Sequence, residues 1–335
     1  MKGNKKSYII AEMACSHDGD PDLAKKIIAG AIEAGADAIQ FQIWNLDEAL
    51  TPDHPDFDFC RNIELSKTQW KDLVKFCREK SKSLEIIACV EEPGSIDFAQ
   101  ELGVDAFKLH TSELSNPEMI DKVAETGKRI DLSIGASSLD EIQKALTRIR
   151  SLSEAEIWLM YGYQNFPTDP RDVNLSYLQT LRDLFGLRVG YQDHTDADGQ
   201  GAFWLPACAH GMGIDIQEKH ITHDRSKKGC DHQAALNPDE FADFVGMVKL
   251  LDAAEGVPHS RSFTEGEQKY RQYAKKSMVA ARPIKKGATV QAADLKPMRA
   301  SELGVPPDES HRLIGQIAAH DIETYELVTE TEVGQ

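Results

Sequence analysis

Short apolar runs alternate with amphipathic segments eight times between Tyr8 and Ala254, and this alternation limits the fold more than any other feature. Runs such as Ile86-Ile87-Ala88-Cys89-Val90 and Ile157-Trp158-Leu159-Met160 are short and apolar throughout, as strands buried on both faces of a parallel sheet are. Strands are predicted over residues 8–13, 38–44, 84–90, 106–110, 130–135 and 157–162, and in two segments that each carry a histidine, 190–195 and 215–222. Helices are predicted over residues 21–35, 70–80, 95–102, 117–125, 139–150, 175–185, 201–210 and 238–254. Eight strand-helix units are the count of a closed (β/α)8 TIM barrel. The competing arrangement is an open doubly wound sheet, but no glycine-rich nucleotide fingerprint follows the first strand.

The two histidine segments, Gly190-Tyr191-Gln192-Asp193-His194-Thr195 and Asp215-Ile216-Gln217-Glu218-Lys219-His220-Ile221-Thr222, flank an apolar helix. They should therefore be parallel neighbours. His194 and His220 then stand side by side at the carboxyl ends of adjacent strands, on the rim where barrel chemistry is found. Two neutral imidazoles there can share one divalent cation and leave its other positions open to substrate. A lone rim histidine is more often a hydrogen-bonded structural residue, whereas two at matching strand ends favour a ligand pair.

The 335 residues suffice for a barrel over 1–255, a polar linker over 256–276 with Pro258, and a small module over 277–335 built from short strands and tight turns. The linker holds one short helix, opened by a capping-box-like Thr264-Glu265-Gly266-Glu267. A formal charge of -17 leaves no basic stripe to neutralise phosphates, so no nucleic-acid partner is expected. No apolar run reaches membrane-spanning length, and Met1-Lys2-Gly3-Asn4-Lys5-Lys6 precedes a strand rather than a secretory segment, so a cytoplasmic protein without membrane contact is expected. The six cysteines are scattered without a Cys-x-x-Cys pair and suit free thiols in a reducing compartment. Residues 45–64, with two prolines among acidic and aromatic side chains, form a loop on the carboxyl side and a candidate wall or lid.

Several of these short stretches, in this order, resemble the sialic acid synthase family. They are Ile10-Ala11-Glu12 with Ser16-His17-Asp18-Gly19-Asp20, Ala36-Asp37-Ala38-Ile39-Gln40-Phe41-Gln42, Phe107-Lys108-Leu109 with Ser112-Glu113, Asp193-His194-Thr195, Glu218-Lys219-His220-Ile221-Thr222 and Leu236-Asn237-Pro238. The tail from Ile284-Lys285-Lys286-Gly287 through Arg299 to Ile314-Gly315 resembles that family's antifreeze-protein-like domain. The resemblance implies a carbon-carbon-bond-forming transferase in which phosphoenolpyruvate attacks the aldehyde of an N-acetylated amino sugar, water adds to the former enol carbon and phosphate leaves. It implies a divalent ion on His194 and His220, manganese first, with magnesium or cobalt as alternatives. Glu12, Lys108 and Glu113 match catalytic positions; Gln40, Cys89, Thr111, Ser133, Gln164, Phe166, Gln192, Asp231 and Arg299 match substrate-side positions. Arg299 would reach the acceptor from the small domain, in a domain-swapped homodimer.

The residues also admit plainer roles. Glu12 and Lys108 can form a structural ion pair on the rim, and Asp193 and Glu218 can be internal partners for Lys219 or Lys108. His110, Trp158 and Met160 suit packing, and Arg299 suits solvent. Where the family carries a donor-binding lysine on strand two, this chain has Gln40. Ala88-Cys89-Val90 replaces a Ser-Thr-Pro, Gln164 and Phe166 stand at an asparagine and a tyrosine, and Gln192 stands at a serine. Losing a cationic partner of a buried dianion is expensive. Three readings follow: a synthase with a reshaped donor site, a metal-dependent aldolase or lyase with a donor lacking phosphate, and a non-catalytic sugar-binding relative.

Overall fold

The computed structural model describes residues 6–256 and 260–334. The start of the chain at residues 1–5 and the linker's Pro258 lie outside the described residues. The chain divides into two compact units, Met1–Gly256 and Val257–Gln335.

The first unit is a closed parallel barrel in strand order β1 to β8. Its strands are β1 (Tyr8–Glu12), β2 (Ala38–Ile43), β3 (Glu85–Val90), β4 (Ala106–Leu109), β5 (Arg129–Ser133), β6 (Ile157–Tyr161), β7 (Arg188–Asp193) and β8 (Ile216–His220). The helices are α1 (Pro21–Ala34), α2 (Leu46–Ala49), α3 (Phe57–Ile63), α4 (Lys67–Lys80), α5 (Pro93–Leu102), α6 (Pro117–Glu125), α7 (Leu139–Leu152), α8 (Ser176–Phe185), α9 (Gly201–Gly211) and α10 (Pro238–Glu255). Closure is made by β1 against β8, with Glu12 beside His220, and by β1 against β2, with Glu12 beside Gln40.

Local sequence fixes where the chain turns from strand to helix. Proline at the first helical turn opens α1, α5, α6 and α10, where its missing N–H costs nothing. Reciprocal capping boxes start α4 (Ser66 and Gln69) and α7 (Ser138 and Glu141), and at α10 Glu240 accepts from Asn237 N at 2.7 Å. The first of these starts α4 three residues before the expected Trp70, because Ser66 caps ahead of the apolar pattern. A second difference is the stretch 45–64, which forms α2 and α3 instead of an open loop. Glu64 accepts from Leu46 N at 3.0 Å and from Arg61 at 2.7 Å, and Glu92 accepts from Asn45 N at 2.9 Å. Charged side chains hold this segment, and α3 buries only Ile63, so hydrophobic periodicity gives no sign of it.

Two apolar layers result. The larger lies between the strands and the surrounding helices; a small one of Ile10, Ala38, Ile87, Ala106, Trp158, Met160 and Ile216 fills the barrel. Trp158 and Met160 are packing residues, as expected, and His110 caps a 3-10 turn with Nδ1 at 2.9 Å from Ser112 Oγ.

In the second unit, Thr264 and Glu267 form a reciprocal capping box at α11 (Glu265–Ala274). Antiparallel pairs follow, β9 (Ser277–Ala280) with β10 (Leu295–Met298) and β11 (Ile317–Ala318) with β12 (Val333–Gly334). Met278, Ala280, Ile284, Val290, Leu313, Ile322 and Val328 belong to its own small core.

Candidate active site

Strand alternation sends Glu12, Gln40, Cys89, Lys108, Ser133, Gln192 and Glu218 into the barrel above the apolar layer, all of them buried. Lys108 Nζ donates to Glu218 Oε1 at 2.7 Å and lies 3.7 Å from Glu12 Oε2. Gln192 Nε2 donates to the same Glu218 oxygen at 3.0 Å, and Ser133 Oγ donates to Gln192 Oε1 at 3.3 Å. Side chains from β4, β5, β7, β8 and β1 thus converge in one buried polar network. Glu12 Oε1 accepts from Ala14 N at 2.6 Å.

Electrostatics divides the labour between the two carboxyls. Burial, with Glu218 adding repulsion against the pull of Lys108, pushes the Glu12 carboxyl up to about 8. Lys108 keeps its proton firmly: burial opposes its charge, but Glu218 and Glu12 outweigh that and raise it above the ordinary lysine range. One ammonium therefore pairs with one carboxylate, and the second carboxyl holds a proton near neutral pH. The Cys89 thiol is pushed well up by burial and stays neutral.

Above this network stand His194 and His220, both buried, with ring centroids 5.2 Å apart. Burial holds both imidazoles neutral, His220 well below the usual range, with the neighbouring His194 adding to it. His194 Nδ1 lies 2.9 Å from the Tyr163 carbonyl, which fixes the tautomer that leaves Nε2 with its lone pair. Gly162 permits that approach, since a Cβ there would lie 2.3 Å from the Gln192 carbonyl and 3.1 Å from the His194 ring. Phe166 flanks the pair, 4.4 Å from His194 and 5.9 Å from His220.

Five buried polar atoms here, Glu12 Oε2, both side-chain atoms of Gln40, Glu218 Oε2 and His220 Nδ1, have no hydrogen-bond partner. Such atoms cost stability unless something else satisfies them. Two neutral imidazoles beside an unpaired carboxyl oxygen fit a divalent cation with open positions. Among the described residues, no third His, Cys, Asp or Glu joins the pair in a cluster within 4.8 Å.

The remaining sequence-derived positions surround this centre less closely. Thr111 Oγ1 donates to the Gly135 carbonyl and lies 3.2 Å from Ser137 Oγ, which turns it toward the loop after β5. Gln164 lies over Gly135, where a Cβ would come within 2.6 Å of its Nε2. Glu113 accepts from Ser112 Oγ at 2.9 Å and Asn116 Nδ2 at 2.8 Å, and its charge helps lift the mostly buried Glu91 to about 7. Asp231 stands beside Cys15 and Cys230, with a φ of 61°. Arg299 is exposed on the second unit. Glu218 does pair with Lys108, and Asp193 accepts from Lys219 Nζ at 2.5 Å on the opposite strand face.

Sequence reasoning missed the Tyr163 carbonyl, which no side-chain pattern marks, and the meeting of Cys15 with Cys230. The second was within reach, because barrel closure sets the loop after β1 beside the loop after β8.

Comparison with known proteins agrees with this architecture. The NeuB family profile matches residues 27–260. The chain is 29% identical over 342 residues to the N,N'-diacetyllegionaminic acid synthase of Campylobacter jejuni, covering 97% of this chain and 100% of that one. It is 30% identical over 325 residues to the N,N'-diacetyllegionaminic acid synthase of Legionella pneumophila, covering 92% and 89%. Among solved structures it is similar to an N-acetylneuraminic acid (sialic acid) synthetase from Leptospira borgpetersenii, with 27% identity, a TM-score of 0.72, and coverage of 81% of this chain and 93% of that one. With that profile spanning most of the barrel and relatives aligned along nearly the whole chain, this protein belongs to the NeuB family.

Proposed function

We propose that this NeuB-family chain is a nonulosonic acid synthase, condensing a phosphoenolpyruvate-type donor with the aldehyde of an N-acetylated amino sugar. The observation that carries this reading is the set of unpaired buried polar atoms beneath two neutral imidazoles. His194 and His220 would hold a divalent cation, manganese first, which when bound polarises the acceptor aldehyde as a Lewis acid. Lys108 holds an anionic group of the donor, while Glu218 keeps it charged and fixed. Glu12 carries a proton at neutral pH, and Oε2, which has no hydrogen-bond partner, is the atom that would exchange it with a reacting oxygen. Ser133 and Gln192 orient the donor side, Gln40, Cys89, Thr111 and Gln164 line it, and Phe166 excludes water beside the imidazoles. Glu113 assists proton movement from the rim, and Asp231 faces the acceptor. The new bond joins the donor methylene to the aldehyde carbon; water supplies the oxygen that replaces the departing phosphate.

The short antiparallel pairs and tight turns of the second unit support assigning it to the antifreeze-protein-like fold. Arg299 would then reach the acceptor's acyl group across a swapped homodimer. Arg299→Ala is expected to raise the acceptor KM more than it lowers kcat.

One observation favours a second reading. Lys108 is already paired with Glu218, while Gln40 and Cys89 bring no charge, so a dianionic phosphate finds little compensation. A metal-dependent aldolase or lyase acting on a smaller carbonyl donor fits that balance. Incubation with manganese, N-acetylmannosamine and either phosphoenolpyruvate or pyruvate separates the two. Phosphate release that requires both substrates supports the synthase; turnover with pyruvate alone refutes it in favour of the aldolase.

A further inference from the structure

Beside the centre just described, a second group of metal-ligating side chains comes together from loops that are remote in sequence. Cys15 follows β1, and Cys230 and Asp231 precede α10. Barrel closure makes these loops neighbours, and the two thiol sulfurs and one Asp231 carboxylate oxygen all lie within 4.8 Å of one another. The Cys15 and Cys230 thiols interact, and Cys15 Sγ also lies 3.7 Å from Gln42 Oε1. The Asp231 carboxylate faces the Cys230 thiol and the Cys15 backbone N–H, so the three groups stand together. Both cysteines are free. Cys60, on α3, is close enough to interact with both thiols but lies outside the triangle.

We propose that Cys15, Cys230 and Asp231 form a second cation site, for a thiophilic divalent ion of the zinc class. Two sulfur ligands and one carboxylate supply three corners of a tetrahedron and leave one position open, a donor set that zinc accepts and manganese does not favour. Charge supports the assignment. Asp231 lies close enough to Glu12 to help raise its carboxyl, so a dication held by Asp231 offsets negative charge at this end of the barrel. Binding displaces the two thiol protons to solvent, and the affinity rises with pH. The site clamps the loop after Glu12 to the loop after His220, and its ligand set shares no side chain with the imidazole pair.

Cobalt(II) tests the assignment directly on the full-length protein, reduced and stripped of metal. We expect a thiolate-to-cobalt charge-transfer absorption that saturates at one equivalent, persists in His194→Ala/His220→Ala, disappears in Cys15→Ser/Cys230→Ser and is displaced by zinc. Asp231→Asn should weaken cobalt binding at least ~10-fold, as for a lost ligand or its orienting partner. The absence of that absorption from the wild-type protein overturns the proposal whatever the variants do, and so does its persistence in the double cysteine variant.

Discussion

The two ends of the barrel interior both bury charge, and they treat it in opposite ways. At the amino-terminal end Arg129 donates to Glu85 at 2.7 Å and to Asp131 at 2.9 Å, with its guanidinium 4.0 Å from the Trp158 ring centroid and 5.0 Å from that of Tyr8. Tyr8 donates to Glu85, and Arg188 stacks on the same indole and reaches Asp215 at 3.0 Å. Nearly every donor there has an acceptor, Arg188 Nε being the exception. At the carboxyl end Glu12, Gln40, Glu218 and His220 all keep atoms without partners. A satisfied buried network fixes the closed sheet, whereas an unsatisfied one costs stability that only a ligand restores.

Substitutions at each end should separate these roles. Arg129→Met leaves Asp131 buried without its cation, and is expected to cost about 3–5 kcal/mol in urea unfolding while the folded fraction keeps its turnover. Lys108→Met at the other end should lower acceptor-dependent phosphate release by roughly 10²–10³-fold, since it removes the charge meant for the donor. Glu12→Gln should show itself through pH. The folded Glu12 carboxyl at about 8 keeps a proton that the unfolded chain gives up near 4.5, so wild-type stability declines as pH rises between these values. The amide does not ionise, and the variant's Tm should exceed the wild type's near pH 8 by on the order of 2–4 °C, with the gap closing toward pH 5. Gln40→Leu should change stability least, by less than ~1 kcal/mol and in the stabilising direction, because both amide atoms already lack partners; donor affinity should fall. A strong loss of stability in Gln40→Leu would show that the two ends do not differ as argued.

Most of the barrel was legible because its signal is local. Each strand is a short apolar run, and Pro21, Pro93, Pro117 and Pro238 mark helix starts within the chain itself. His194 and His220 could be paired from the sequence because their strands are consecutive and parallel. The helices α2 and α3 were not legible, since Glu64, Arg61 and Glu92 hold them through polar contacts that carry no periodicity. The Lys108 ammonium was open to partners on other strands, and only closure selected Glu218 and Glu12. The thiols of Cys15 and Cys230 stand far apart in sequence and looked scattered for the same reason.

The central claim, that two neutral imidazoles at adjacent strand ends hold the cation, is tested most directly by manganese titration followed by electron paramagnetic resonance. Manganese is a poor thiolate ligand partner, so the cysteine pair does not contribute. The account predicts one tightly bound equivalent in the wild type and its loss in His194→Ala and in His220→Ala, each still folded by circular dichroism. Undiminished manganese binding in either folded variant would contradict it.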